Sequence, residues 1–234
     1  MTGVTLGIET SGLEGSIALR WDGTCVDQCI LERRRHAQSL ISQVQFLLRK
    51  HQLAPRDVDL VAVSHGPGSF TGLRVGVVFA KTFAFASGCR LAAVDTLQAV
   101  ATAAPDGIEH VSAVSDAQRE QLFVGNYRRV PGGNWSRSEP VHALGIEEWC
   151  DRAAEQARSE FAASGPGLLR VAEQLPKTVL LLPRTLWNPH ASQIAAIGEQ
   201  LAERADLADA TQLEPFYLRR SAAEEKRDAR RVDA

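Results

Sequence analysis

The chain passes from strand-like alternation to a helical hydrophobic period at the same stage of two successive stretches. That repeated order limits its fold more than any single motif. Residues 4–8 (VTLGI) are rich in strand formers, residues 11–15 hold turn residues, and 16–21 read as a return strand. Asp22-Gly23 is the strongest two-residue hairpin signal in the chain, and a third strand is expected over 24–31. The period then changes: Ala37, Leu40, Ile41, Val44, Leu47 and Leu48 mark one face of a helix ending near Lys50. Residues 57–64 (DVDLVAVS) form a short, nearly all-apolar strand of the buried kind. The loop HGPGSF follows, then a helix over 71–86, a strand over 91–94, and an apolar helix that stops before Pro105.

The order repeats after that proline. Residues 110–115 and 121–129 read as strands, Pro131-Gly132-Gly133-Asn134 turns, and a third strand is expected around 135–142. A helix over 146–160 leads to residues 161–164 and a second Gly-Pro-Gly at 165–167, matching the first at 66–68. A strand over 178–182 and a helix after Pro189 complete the series. The reading is an α/β chain of two βββαβαβα halves, the second reduced, produced by internal duplication. The expected boundaries are 1–104, 105–218 and a charged tail, 219–234, without apolar period and expected to be disordered. This plan resembles that of the actin-like and sugar-kinase-like ATPases, of ribonuclease H-like topology. There a nucleotide sits between the halves, held by a hairpin turn of each.

Composition removes several other classes. With 234 residues, 44% hydrophobic and 23% charged, the chain is no coiled coil, disordered polymer or disulfide-stapled miniprotein. Its 26 basic and 28 acidic residues give a net charge of −2, so no whole-molecule field draws it to nucleic acid or anionic lipid. The first ten residues lack a basic region and carry Glu9, against a signal peptide. The longest apolar stretch, VGVVFAKTFAFA, is short for a bilayer and is interrupted by Lys81, against a membrane span. Cys25 and Cys29 have CxxxC spacing, not the CxxC of zinc or redox sites. On one strand both are expected to face the same side as reduced, small apolar residues, and a cytoplasmic location follows.

The segment from His65 to Gly76, HGPGSFTGLRVG, is the most informative. It leaves a buried strand, turns on Gly66 and Gly68, and opens a helix that Ser69 or Thr71 can cap. Helix-start amides receive anions, yet the Lys of a Walker A loop is missing, the G-x-G-x-x-G spacing fails, and Pro67 removes a donor. Structural turn and anion site both remain open. In the helix that follows, Gly72, Gly76, Ala80 and Ala84 make a ridge of small residues, while Leu73, Val75, Val77, Val78, Phe79, Phe83 and Phe85 cover the other faces. Such a helix is expected to be buried on every side, one side against its sheet and another against the preceding helix or another chain. Glu9-Thr10-Ser11 ends the first strand and Asp116 the equivalent strand of the second half. They are either a carboxylate pair holding magnesium through water or ordinary strand-end acids. The six histidines show neither HxxxH nor HExxH spacing, and no G-x-S-x-G elbow accompanies Ser64 or Ser69. A zinc peptidase and a triad hydrolase are thereby disfavoured.

GPGSFTGLRVG, behind a first strand ending in Glu9-Thr10-Ser11, resembles the bacterial TsaB (YeaZ) family over nearly the whole chain. Arg35-His36-Ala37-Gln38 resembles that family's R-x-H-[ST]-[QE] helix start. Asp116-Ala117 falls at its D-A-R-x-x-E-V-Y segment, and Pro215-Phe216-Tyr217-Leu218-Arg219 at its P-x-Y-L-R ending. Gln118, Gln121 and Phe123 depart from the second pattern, and Glu9 stands where many members carry Asp. The resemblance implies a non-catalytic scaffold that binds and activates TsaD, which transfers threonylcarbamoyl to the adenosine beside the anticodon of tRNAs reading ANN codons. TsaD-like chains bind metal through the two histidines of V-N-H-L-E-G-H; here Thr96 and Val100 stand at those places, and neither replaces an imidazole. The implied partner interface is His36, Leu40 and Val44 on the first helix and Gly72, Val75, Gly76, Phe79, Ala80 and Phe83 on the second. A homodimer through the same helices is also implied. TsaE, a P-loop ATPase, would dock at the TsaB–TsaD junction and tRNA would be met indirectly. ATP and metal belong to the partner subunits, with no cofactor of the chain's own. Glu9, Thr10, Ser11, Gly66, Gly68, Ser69 and Asp116 are the residues expected to face a nucleotide or anion. The alternative is a stand-alone actin-like ATPase or small-molecule kinase.

Overall fold

In the computed structural model, the described residues are 3–31, 36–156 and 161–218, with the side chains of 36–38 outside the description. The His36 side chain and the tail 219–234 therefore lie outside what the structure describes. The first meander is β1 (Val4–Glu9), β2 (Gly15–Trp21) and β3 (Thr24–Leu31). The hairpin at Asp22-Gly23 has positive φ at both residues, 48° and 76°, as a tight two-residue turn requires. Next come α1 (His36–Lys50), β4 (Leu60–Gly66), α2 (Phe70–Ser87), β5 (Arg90–Asp95) and α3 (Thr96–Thr102). The second series is β6 (His110–Gln118), β7 (Gln121–Arg129), β8 (Trp135–Arg137), β9 (His142–Gly145) and α4 (Ile146–Gln156). It continues with β10 (Phe161–Ser164), α5 (Leu168–Val171), β11 (Leu180–Leu181) and α6 (Ala191–Glu203).

The two sheets have the same topology. The first runs β3-β2-β1-β4-β5 and the second β8-β7-β6-β10-β11, with the meander antiparallel and the later strands parallel in each. This is the two-half α/β architecture expected from the repeated order, and the second half is reduced, its equivalent of α2 being the single turn of α5.

Three local expectations need correcting. The single strand expected over 135–142 is two strands, β8 and β9, because Pro140 lies between them and supplies no ladder N–H. The pieces pair with opposite ends of β7. In β3, Leu19 pairs with Asp27 but Arg20 pairs with Cys25, so Val26 is an extra, bulged residue. A bulge inverts the side-chain alternation. Cys29 packs toward the core of the first sheet, whereas Cys25 shares Arg20's face, opposite to the common side expected. Both are free thiols. Finally, α2 has the length and composition of a membrane-crossing helix, more than its twelve most apolar residues suggested. The fold accounts for part of that apolarity: one face packs on the sheet, and Lys81 is held by the Leu213 carbonyl at 2.8 Å.

The cores show how the halves are joined. On one side of the first sheet, α1 and α2 bury Leu40, Val44, Leu47, Leu48, Val77 and Ala80 with Leu6, Ile8, Ile17 and Val63. The other side is covered by α6, which follows the last strand of the second half; Ile194 and Ile197 pack on Leu60, Ala62 and Val94. Conversely α3, which follows the first half, places Leu97, Val100 and Ala101 in the core of the second sheet. A boundary at 104/105 divides the strands, but α3 and α6 lie across it. The second sheet's far face takes α4 and α5, with Trp149 and Leu168 buried.

The seat of α6 is made by two glycines. A Cβ on Gly7 would lie 2.2 Å from the Ala191 carbonyl oxygen, and one on Gly198 would lie 2.4 Å from the Ala62 Cβ. Ser16 Oγ accepts from the Ala191 N–H at 2.9 Å, and Arg20 pairs with Glu199 at 3.1 Å. A mid-helix glycine costs helix stability, so its use here is set by this approach. Gly198→Val should destabilise the chain by about 2–3 kcal/mol through overpacking. Gly145→Ala, where a Cβ meets nothing within 4 Å, should stay within about 0.5 kcal/mol. Urea unfolding of the two variants measures the difference.

Candidate functional site

Both hairpin turns and both Gly-Pro-Gly turns open on one cleft between the halves, with a volume of about 660 Å3. From the first half it is lined by residues 11–13 and 67–71. The second half supplies 115–119, Pro166, Leu169 and Arg170, and residues 216–218 complete the wall. The two Gly-Pro-Gly turns share their glycine geometry, although of the two Gly–Pro bonds only Gly66–Pro67 is cis. Gly66 and Gly165 both have positive φ, 138° and 121°. Gly68 lies against Ser11, where a Cβ would meet the serine at 2.7 Å, and Gly167 lies against Val114 and Ser115, where a Cβ would meet backbone at 3.1 Å. Each turn thus closes onto the end of its own half's first strand.

Of the seven residues expected to face a nucleotide or anion, Ser11, Gly68, Ser69 and Asp116 line this cleft. Glu9, Thr10 and Gly66 do not, and for each the packing gives the reason. Glu9 is fully buried; its Oε1 accepts from the N–H and hydroxyl of Ser11, both at 2.5 Å, while Oε2 has no hydrogen-bond partner. Burial pushes its pKa above the ordinary 4.5, against the lowering effect of the Ser11 hydrogen bonds. Thr10 is turned inward, its hydroxyl donating to the Gly72 carbonyl at 2.8 Å. Gly66 is covered by Phe216, whose carbonyl oxygen would stand 2.5 Å from a Cβ there.

The cleft's remaining charges are largely paired. Asp116 Oδ1 meets Arg170 at 3.0 Å and accepts from the Gln118 N–H at 2.8 Å, while Oδ2 accepts from the Gln118 side chain at 3.1 Å. Arg170 also bonds Glu120. These contacts hold a turn in which Gln118, Arg119 and Glu120 all have φ between 53° and 63° without a glycine. Ser69 caps α2, its Oγ accepting from the Gly72 N–H at 3.3 Å, and its own N–H donates to the Ser11 carbonyl at 2.7 Å. The helix start is thus partly satisfied within the chain, which favours the structural reading of the GPGSF turn. Thr96 and Val100, at the places of the metal-binding histidines in the resemblance, are buried in α3. Among the described residues no group of three or more His, Cys, Asp or Glu is placed to hold a metal.

The expected interface residues divide between the two faces of their helices. Leu40, Val44, Gly72, Gly76 and Ala80 are buried inside the chain. A Cβ on Gly72 would stand 2.0 Å from the Thr10 carbonyl oxygen, so the small-residue ridge of α2 serves its own β1 and offers nothing outward. Val75, Phe79 and Phe83 are half-buried, with the Phe79 and Phe83 rings 5.8 Å apart. Next to them Val78 and Phe85 are 57% and 86% exposed, and α1 adds exposed Ile41 and Phe46. The side of α2 expected to lie against the preceding helix or another chain is open within this chain.

Residues 31–227 match the family model described as TsaD: tRNA N6-adenosine threonylcarbamoyltransferase. Proteins named tRNA threonylcarbamoyladenosine biosynthesis protein TsaB are similar over almost their whole length. That of Bacillus subtilis is 29% identical, with 94% of this chain and 96% of that protein covered. That of Escherichia coli is 28% identical with the same coverage. The solved structure of YeaZ from Pseudomonas aeruginosa superposes with a TM-score of 0.80 at 26% identity, covering 93% of this chain and 100% of that one. The chain belongs to the TsaB (YeaZ) family. A TsaD relative, the tRNA N6-adenosine threonylcarbamoyltransferase of Desulfovibrio desulfuricans, is 35% identical over 40% of this chain, which spans 30% of that protein. The resemblance to the TsaB family is thus supported over nearly the full chain.

Burial of Glu9 has a measurable consequence. Because its folded pKa is raised, the fold favours the protonated acid. Its contribution to stability is complete below the ordinary value of 4.5 and is lost as pH rises through the raised value. Urea unfolding across a pH series should show the wild type losing stability relative to Glu9→Gln as pH increases through this range. A constant difference between the two proteins would show that Glu9 is ionised in the fold as it is in the unfolded chain.

Proposed function

We propose that this chain is an accessory, non-catalytic subunit in the synthesis of threonylcarbamoyladenosine on tRNA, and that it docks a TsaD-type transferase through the outer side of α2 and α1. The names of its relatives support the pathway. The observation that carries the docking role is the open apolar side of α2, where Val78 and Phe85 flank half-buried Val75, Phe79 and Phe83. Each large apolar side chain removed from water stabilises a complex by about 1.5–3 kcal/mol, before the entropic costs of association. Thr96 and Val100 in place of histidines, and the paired or buried state of Asp116 and Glu9, support leaving catalysis to the partner. ATP and metal then belong to the transferase and to a TsaE-type ATPase at the subunit junction, and tRNA is engaged chiefly by the partners. The same apolar side serves a homodimer when no transferase is present. A stand-alone ATPase or kinase would need a free carboxylate facing the cleft at Glu9 or Asp116, and neither position provides one.

The test is complex formation with a TsaD-type protein, followed by size-exclusion chromatography. Val78→Glu and Phe85→Glu, both at exposed positions, should each weaken the complex at least tenfold while leaving the thermal unfolding curve in place. Undiminished binding by both variants would contradict the docking face. Ala80 is unsuitable as a probe, since it is buried and a glutamate there would unfold the chain.

A further inference from the structure

After α6 the chain turns back along the first half. Ala208, Ala210 and Leu213 pack against its core, and the Ala208 N–H donates to the Leu91 carbonyl at 2.9 Å. It then runs along one wall of the cleft. The Phe216 N–H donates to the His65 carbonyl at 2.7 Å, directly over Gly66, and the Phe216 and His65 rings lie 6.0 Å apart. Tyr217 stacks on Phe70 at 4.5 Å, and Arg74 lies over the other ring of that pair, 4.8 Å from the Phe70 centroid. Leu218 crosses to the core of the second half. Phe216, Tyr217 and Leu218 all line the cleft.

We infer that residues 214–218 are a strap that runs along one wall of the cleft and holds the two halves at a fixed separation. Three features of the surroundings fit this strap. Gly66 has no room for a Cβ because the Phe216 backbone fills that space, so the turn is shaped around the strap. The strap is fixed by backbone hydrogen bonding and ring stacking on the first half and by Leu218 on the second. It is also tied to α2 at the helix start, by Tyr217 on Phe70, while the residue just before the strap, Leu213, accepts from Lys81 further along the same helix. The inference concerns the free chain and stands apart from the docking role proposed above.

Hydrogen–deuterium exchange on the full-length protein alone tests it. Tyr217→Ala combined with Phe216→Ala removes the stack and the ring on His65 at positions only partly buried. Amide exchange should then rise at least tenfold in the two hairpin turns, 11–14 and 118–120, which belong to opposite halves, while the turn at 22–23 stays unchanged. Tyr217→Phe keeps the stack and should match the wild type. Gly66→Ala, which displaces the strap from the other side, should reproduce the double variant. An increase confined to residues 65–70, or none, would overturn the inference and make the strap a passive cover. A rise throughout the chain in the double variant, without the selective rise in Gly66→Ala, would overturn it as well.

Discussion

The rest of the structure depends on the close approach of α6 to β1 and β4. A helix from the end of the chain can cover the first sheet only because Gly7 and Gly198 let backbone and small side chains come together there. With α6 in place the first sheet is covered on both faces, as parallel strands require. The reciprocal crossing of α3 into the second core, together with the hydrogen bond from buried Tyr127 to Asp95 at 2.6 Å, makes the two halves interdependent. Burial and the neighbouring Asp95 charge push the Tyr127 pKa well above 10, so this phenol stays a donor at any ordinary pH. The two halves are therefore joined through shared cores.

That arrangement leaves the cleft intact as a shape and alters its chemistry. Of the residues expected to face a nucleotide or anion, Ser11, Gly68, Ser69 and Asp116 line it. Here Glu9 is buried beneath Ser11, Asp116 is engaged by Arg170 and Gln118, and Gly66 is overlaid by Phe216. Exposed apolar side chains also lie outside the cleft, among them Val78 and Phe85 on the outer side of α2. A net charge of −2 with no broad basic field suits a subunit that works through apolar contact with another protein.

Much of this was legible in the sequence because it is written in local periodicity. The Asp22-Gly23 hairpin, the switch to a helical period at Ala37 and the two Gly-Pro-Gly turns all act through neighbouring residues, and all appear where they were expected. What was not legible is nonlocal. An amphipathic pattern shows that α3 and α6 each bury a face, but not that each buries it across the boundary. For α2, apolar on all sides, the pattern does not distinguish inward from outward; the structure shows that Gly72 and Gly76 point in because Thr10 lies against them. The turn at 118–120 lacks the glycine or asparagine that announces positive φ, and its support from Arg170 comes from fifty residues away. The bulge at Val26, which turns Cys25 over, has no composition signal at all.

The central claim is that this chain acts by completing a transferase and does no chemistry itself. Reconstituted synthesis of threonylcarbamoyladenosine on tRNA tests that claim most directly, with a TsaD-type protein, a TsaE-type ATPase and the enzyme that forms the threonylcarbamoyl adenylate, with and without this chain. The account predicts modification that requires the chain in amounts equal to the transferase. It also predicts modification that survives Asp116→Asn, since that carboxylate serves a turn. Full modification without the chain, or loss of modification on Asp116→Asn in a complex that still assembles, would contradict it.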